Sequence, residues 1–420
     1  MNQGDLPTGW NSKKLGLIST VNPTKKNWPK DVEVSFFSMS NVTEDGRLLS
    51  PEIGRLKDFS AGFTPFENRD VIIAKITPCF ENGKGALVDF LPSGYGLGST
   101  EFHVVRCSEK LNPEFFFYLT QSYWFRKKGE RNMTGSAGQK RVPSDWLRSL
   151  LVHLPSLKEQ KKIAEILGAC DEAIEAQQKL IELKEKRLKG WMQKLLTGKV
   201  RFPQFVNSPN IISSRYFHYP SDWNLIEIQK ISSQVITRNS HSEIPVLSCT
   251  KYDGLVDSLK YFKKQIYADD ISNYKVVKRN EFAYATNHLE EGSIGYQNLY
   301  DEAVVSPIYC VFKTCNEVND KWLFLLLKTE LFRRIFEANT NASVNRRGSL
   351  KWNQFKRLKI ALPPKDEQDC IAGMLQTMKY EVNLEKEKLS QLKLQKKSLM
   401  QKLLTGKVRV KVDGVVEDSR

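Results

Sequence analysis

Cysteine and histidine are scarce in this chain of 420 residues, at seven and five. The cysteines are odd in number and scattered. The closest pair is Cys310 and Cys315, and no second pair stands at zinc-binding spacing. Neither a disulfide framework nor a structural zinc is expected, and the thiols read as reduced, in a cytoplasmic protein. His103, His153, His218, His241 and His288 do not cluster, so they read as structural or surface residues. Long apolar runs are also missing. Nothing approaches the roughly 18–20 residues that span a bilayer, and Trp322 to Leu327 suits a buried helix. The start, Met-Asn-Gln-Gly-Asp, has neither a basic nor an apolar stretch, so no secretory leader is expected.

The signatures of catalysis are missing as well. Gly198-Lys199 is followed by Val200, which rules out a phosphate-binding loop. Gly94, Gly96 and Gly98 lack the third spacing of a dinucleotide fingerprint and precede a strand. There is no Asn-Pro-Pro-aromatic or Asp-Pro-Pro-aromatic tetrapeptide, no Gly-x-Ser-x-Gly and no His-Glu-x-x-His. Asp70 and Glu81 with Lys75 between them stand in the wrong order for a metal-dependent nuclease. No catalytic and no metal-binding residue is expected, and the chain reads as a binding protein.

What the sequence does have is a repeat. Met192 to Arg201 reads Met-Gln-Lys-Leu-Leu-Thr-Gly-Lys-Val-Arg, and Met400 to Arg409 reads the same. At the same offset, Leu154-Pro155, Glu159-Gln160, Ile163-Ala164 and Leu167 match Leu362-Pro363, Glu367-Gln368, Ile371-Ala372 and Leu375. Upstream the offset slips by a residue or so. Asn112, Phe115, Phe117, Leu119 and Phe125-Arg126-Lys127 match Asn319, Trp322, Phe324, Leu326 and Phe332-Arg333-Arg334. At the front, Pro7-Thr-Gly-Trp10-Asn11 echoes Pro220-Ser-Asp-Trp223-Asn224. A whole domain with its tail is written twice, a far longer period than that of a solenoid. Two copies of one unit suit the recognition of two related targets.

The chain carries a net charge of +16. The excess is +4 over residues 1–150, +4 over 151–204, +5 over 205–360 and +3 over 361–420. A polyanion that touches both halves fits a surplus spread this evenly.

Residues 157–196 predict a helix. Steps of four and three from Ile163 meet Leu167, Cys170, Ile174, Gln177, Ile181, Lys184, Leu188, Trp191 and Leu195, eight apolar positions of ten with Ile163. The same steps from Ile371 meet Leu375, Met378, Val382, Glu385, Leu389, Leu392, Lys396, Leu399 and Leu403, again eight of ten. These are heptad seams. Each begins after Pro155 or Pro363-Pro364 and stops at Thr197-Gly198 or Thr405-Gly406, where glycine suits the left-handed C-terminal position. Such helices, about 60 Å long, bury only a stripe and need a partner. They are expected to pair with each other, antiparallel if a pseudo-two-fold relates the copies. With Ile163 set against Leu403, Lys184 falls one layer from Glu385, and a Lys184–Glu385 contact that fixes register is expected.

The globular parts read as mixed α/β. Val71 to Ala74, Phe102 to Val105 and Tyr309 to Phe312 predict strands, and a helix at 114–128, repeated at 321–337, closes each part. Strand order is not derivable. The expected organisation is 1–153 and 205–361 as globular domains, 154–204 and 362–412 as spacer helices, and 413–420 as a tail.

Two loops per copy have the composition of a nucleic-acid reader. The first, Met133 to Arg141, has small residues that let backbone approach phosphate. Ser136 is one of them, beside Gln139, Lys140 and Arg141. Its counterpart, Asn341 to Gly348, offers Asn345, Arg346 and Arg347. Lysine and arginine suit phosphates or guanine, and glutamine and asparagine suit adenine. The second loop follows the strand at Val71 and offers Thr77, Asn82 and Lys84, matched by Asn287 and His288. Lys25 and Lys26, with Arg238 and Asn239, complete the DNA-binding candidates. The helices and the decamer agree between copies while most globular residues differ. A spacer keeps its geometry, whereas readers of different base sequences differ.

With these residues in view, the chain resembles the specificity (S) subunit of Type I restriction–modification systems over essentially its whole length. The resemblance rests on Leu-Pro-x-x-x-x-Glu-Gln-x-x-Ile-Ala at Leu154 and Leu362, on Gln-Lys-Leu-Leu-Thr-Gly-Lys-Val-Arg at Gln193 and Gln401, on Gly138-Gln139-Lys140-Arg141-Val142-Pro143 and on Pro-x-x-Trp at Pro7 and Pro220. The second copy departs from it at Asn345 to Gly348. The resemblance implies an α+β fold: two mixed target recognition domains in a pseudo-two-fold repeat, joined by two long helices in an antiparallel coiled coil. It implies that each domain reads half of a bipartite site in double-stranded DNA and that the helices set the unread gap. It also implies two methyltransferase (modification) subunits as partners, and motor-nuclease (restriction) subunits that cleave unmodified DNA. S-adenosylmethionine, ATP and Mg are expected on those partners and no cofactor on this chain. A specificity subunit of a modification-only or other phage-defence complex is the alternative.

Overall fold

The computed structural model describes residues 7–24, 28–59, 62–136, 138–214, 217–240, 243–251, 253–340 and 349–411. The chain divides into two compact units, Met1–Gln178 with Glu387–Arg420, and Lys179–Lys386. Each unit holds one globular part and half of each of two 39-residue helices, Leu157–Leu195 and Lys365–Leu403.

In the first unit, one antiparallel sheet runs in the order Ser19–Val21, Phe102–Cys107, Val71–Ala74, Gly85–Leu87. A second runs Glu52–Arg55, Glu33–Phe37, Tyr95–Gly98, Thr64–Glu67, with its two central strands parallel. Strand Asn11–Lys14 pairs with Leu151–Leu154, which brings the start of the unit to the root of the long helix. All four residues of Val71–Ala74 are buried, as a strand covered on both faces requires.

The second unit repeats this topology strand for strand. Its sheets run Ser232–Val235, Tyr309–Thr314, Phe282–Ala285, Ile294–Tyr296, and Gly254–Asp257, Val246–Thr250, Glu302–Val305, Lys275–Lys278. The central pair of the latter is again parallel, and Asn224–Glu227 pairs with Lys359–Leu362. A hairpin of Ile211–Ser213 with His218–Pro220 is an addition.

The single helices expected at 114–128 and 321–337 are each two. Pro113–Gln121 and Tyr123–Glu130 are separated by Ser122, and Asp320–Leu327 and Glu330–Asn339 by Lys328 and Thr329. Ser122 and Thr329 are extended, and their hydroxyls cap the second helix at the amides of Phe125 and Phe332. Hydroxyl residues that offer this alternative bond end one helix and start another. Asn112 and Asn319 cap the first helix of each pair.

The helix halves pack antiparallel within each unit. In the first, Ile163 and Leu167 share a core with Leu403 and Leu404, and Lys396 pairs with Asp171. In the second, Leu188 and Leu195 share a core with Ile371, Leu375 and Met378. Lys184 Nζ lies 2.9 Å from Glu385 Oε1 and 3.5 Å from Glu381, so the expected register contact forms. Every position of both seams is buried or half-buried. The lysines that interrupt the seams each meet a carboxylate of the opposite helix. Among the described residues no helix is long and apolar enough to cross a membrane.

Candidate nucleic-acid interface

The framework of each unit comes from the repeated motif. The Gln160 side chain accepts from the Asn112 amide (2.9 Å) and donates to the Lys110 and Pro155 carbonyls. Gln368 does the same for Asn319, Glu317 and Pro363. The neighbouring glutamate reaches the arginine that ends the other copy of the decamer. Arg409 grips Glu159 with two bonds of 2.8 Å, and Arg201 grips Glu367 with two of 2.8 Å. Gly198 and Gly406 are left-handed at φ +70° and +69°, as the helix stop requires. A Cβ there would lie 2.4 Å from the ring of Pro220 or Pro7, so the glycine also seats the Pro-x-x-Trp segment.

On this framework the two candidate loops of the first unit lie side by side. Ile76 bridges to Arg141, Arg141 bridges to Thr134, and the Thr77 amide donates to the Lys140 carbonyl at 2.9 Å. Ser136, Gln139 and Lys140 are exposed. Arg141 is differently placed. Its guanidinium holds Glu101 through three contacts of 2.8–3.1 Å and also donates to the Gln139 carbonyl. Hydrogen bonding to Arg141 keeps the Glu101 carboxyl below its ordinary value, and the same bond raises Arg141. Arg141 therefore braces the loop that presents Gln139 and Lys140.

The second loop is braced too. Thr77 donates to Glu81 (2.8 Å), Asn82 to Glu44 (2.9 Å) and Lys84 to the Met39 carbonyl (3.1 Å). Behind it the buried Arg126 donates to the Phe80 and Gly83 carbonyls, both at 3.0 Å. Burial without a facing carboxylate lowers this guanidinium to about 9, and it remains a cation at neutral pH. Asp70 is buried and gripped by Arg106 through two bonds of 2.8 Å. His103 is structural, donating from Nε2 to the Val142 carbonyl at 2.7 Å, and burial lowers its imidazole.

In the second unit the Leu350 amide donates to the Thr286 carbonyl, so the loop after Phe282–Ala285 again adjoins the segment that leads to the spacer helix. Asn287 is half-buried beside His288. His288 stands 3.3 Å from Glu291, with Glu290 in the same cluster, so this loop is acidic where its counterpart balances Glu81 with Lys84. Asn239 is buried, and its amide side chain donates to the Ile271 carbonyl. Arg238 is exposed and bridges to Lys275. Lys25, Lys26, Asn345, Arg346 and Arg347 lie outside the described residues.

The bracing residues Glu101, Glu44 and Arg126 were not legible as such in the sequence, because each acts on a loop remote in the chain. The exchanged Arg–Glu pairs did leave a signal, since all four residues recur at the repeat offset.

Comparison with known proteins agrees with this architecture. Residues 7–185 and 226–394 match the family model described as Type I restriction modification DNA specificity domain. Over 191 residues the chain is 38% identical to the Type I restriction enzyme EcoAI specificity subunit of Escherichia coli, which covers 42% of this chain and 32% of that protein. The chain thus spans about a third of the length of that relative. It is 22% identical over 428 residues to the putative type I restriction enzyme MjaX specificity subunit of Methanocaldococcus jannaschii, covering 97% of this chain and 96% of that protein. The fold resembles the crystal structure of the HsdS subunit from Thermoanaerobacter tengcongensis with a TM-score of 0.54 and 18% identity, covering 97% of this chain and 99% of that one. Two matched copies of one family model, over most of its length, make this chain a member of the Type I restriction modification DNA specificity domain family.

Proposed function

We propose that this chain is the sequence-reading subunit of a Type I restriction–modification complex. Each globular part reads one half of a bipartite site in double-stranded DNA. The observation that carries this is one topology used twice under different loops: Thr77 to Lys84 balances one glutamate with one lysine, whereas His288 to Glu291 carries two glutamates. Gln139 and Lys140 are the foremost base or phosphate contacts of the first reader, with Ser136, Thr77, Asn82 and Lys84 around them. Asn287, His288 and Arg238, with Asn345, Arg346 and Arg347, serve the second. The paired helices set the unread gap. Two methyltransferase subunits and motor-nuclease subunits supply the chemistry, with S-adenosylmethionine, ATP and Mg bound to them.

The test is methylome sequencing of cells that carry the complete system. Exchange of residues 1–150 for another recognition domain is expected to change one half-site and leave the other. A change in both halves defeats the two-reader scheme. One heptad inserted into each helix is expected to lengthen the gap and preserve both half-sites.

A further inference from the structure

The second candidate loops of the two units make the same turn. The Gly83 amide donates to the Phe80 carbonyl at 3.0 Å, and the Gly292 amide to the Leu289 carbonyl at 2.9 Å. Both glycines are left-handed, at φ +89° and +95°, where glycine meets little steric cost. In each unit the carbonyl of that glycine accepts from a cation of the paired short helices. Arg126 Nη2 donates to Gly83 at 3.0 Å, and Lys328 Nζ donates to Gly292 at 2.8 Å. Each cation holds a second carbonyl as well, that of Phe80 at 3.0 Å or that of Lys251 at 2.7 Å.

These cations are not counterparts in the repeat. Arg126 matches Arg333, and Lys328 matches Gln121. Arg333 is instead bound to Glu330 through bonds of 2.6 and 2.8 Å. A change inside the turn accompanies the exchange. Arg126 lies over the Phe80 ring, 4.9 Å from its centroid, and Leu289 offers no ring. The glycine carbonyl thus has a cation in both units, although the position that supplies it has moved by five residues. Burial lowers both groups from their ordinary values, and among the described residues neither has an ion-pair partner. A desolvated cation without a carboxylate lowers stability, so folding alone gives no reason to supply one twice from different positions.

We propose that Arg126 and Lys328 are positioning residues for base reading, each fixing one loop and so setting the fidelity of one half-site. Arg126 is 7% exposed, too buried to meet a base itself, and it acts through the loop that carries Thr77, Asn82 and Lys84. Lys328 acts in the same way on the loop that carries Asn287 and His288. A contact to a base edge discriminates only when it is held within about 0.5 Å, which requires a rigid support. Hydrogen bonds from a cation to a carbonyl are stronger than neutral ones, and here they clamp the turn that sets the direction of the loop. The proposal rests on the reading of these loops as DNA contacts, and names the residues on which their accuracy depends.

The experiment places altered chains in the complete system and reads both half-sites by methylome sequencing. Arg126→Met is expected to relax the first half-site, with roughly tenfold less discrimination between bases, and to leave the second strict. Lys328→Met is expected to do the reverse. Gln121→Lys combined with Arg126→Met moves the cation to the position that the second unit uses, and is expected to restore a strict first half-site. Should Arg126→Met abolish methylation, Arg126→Lys, which keeps the charge with fewer donors, is expected to methylate with a relaxed first half-site. A uniform fall in methylation at unchanged base preference would make both cations structural only and overturn the proposal. Relaxation of both half-sites by one substitution also overturns it. Absence of methylation at any bipartite site by the unaltered system overturns the proposed function itself.

Discussion

The same clasp, an arginine held by a helix-start glutamate, closes both units, but not equally. In the second unit Arg201 is 6% exposed and Glu367 fully buried. Arg201 also binds Asp222 at 2.7 and 2.8 Å and the Phe205 carbonyl, and the Trp223 indole donates to Glu367 at 3.0 Å. In the first unit Arg409 is 45% exposed against a buried Glu159. Among the described residues it has only the Thr8 carbonyl besides, and the buried Trp10 indole nitrogen has no partner. Much of the difference comes from one position: Gly9 stands where the second copy has Asp222. Identical motifs thus make one fully satisfied buried network and one half-open clasp, because burial and completeness set the worth of an ion pair.

The comparison is sharpest at the glutamates. Glu367→Ala leaves Arg201 buried without its main partner and orphans Trp223, and is expected to cost about 3–5 kcal/mol. Denaturant unfolding of the full chain measures it. Gly198→Ala and Gly406→Ala come next, at about 1–3 kcal/mol each, and are expected to match, since φ and the close proline are the same in both. Unequal losses would show that the junctions differ in backbone as well as in charge. Glu159→Ala is expected to cost only ~1.5 kcal/mol, and a loss as large as that of Glu367→Ala breaks the comparison.

Acid offers a finer probe. Burial pushes the Asp222 carboxyl upward, but the hydrogen bond and charge of Arg201, together with backbone N–H donors, outweigh this and hold it below its ordinary value. A carboxylate lowered in the folded state adds stability above its unfolded pKa, and this is lost as pH falls through the folded value. Asp222→Asn is therefore expected to lower stability at neutral pH and to flatten the decline in acid, seen in melting temperatures across pH 7 to 3. An unchanged acid profile would deny Asp222 this role. The smallest effect is expected at the helix crossing, where Lys184→Ala should cost about 0.5–1 kcal/mol and lose significance in high salt. A salt-independent loss would point to packing of the lysine stem.

Much of the helical framework was legible because it is local and periodic. Heptad steps give the seam, proline and Thr-Gly bound it, and apolar layers counted from Ile163 place Lys184 one layer from Glu385. The break at Ser122 is not legible in the apolar pattern, because its hydroxyl competes with a helix that the pattern would otherwise continue. The composition of its loop marks Arg141 as a DNA-binding candidate, while its engagement with Glu101 depends on a strand pairing that no local pattern reports.

By itself the sequence determined the duplication, the paired helices and their register, the family and the loops in which the two copies differ. Each follows from periodicity or from matched residues. Only the tertiary structure decided the strand order, with Glu33–Phe37 lying parallel to Tyr95–Gly98, and the exchange of arginines between the copies. It also decided which candidates face solvent and which brace a loop. Those outcomes depend on contacts between residues far apart in the chain, where shape and burial, not spacing, choose the partner.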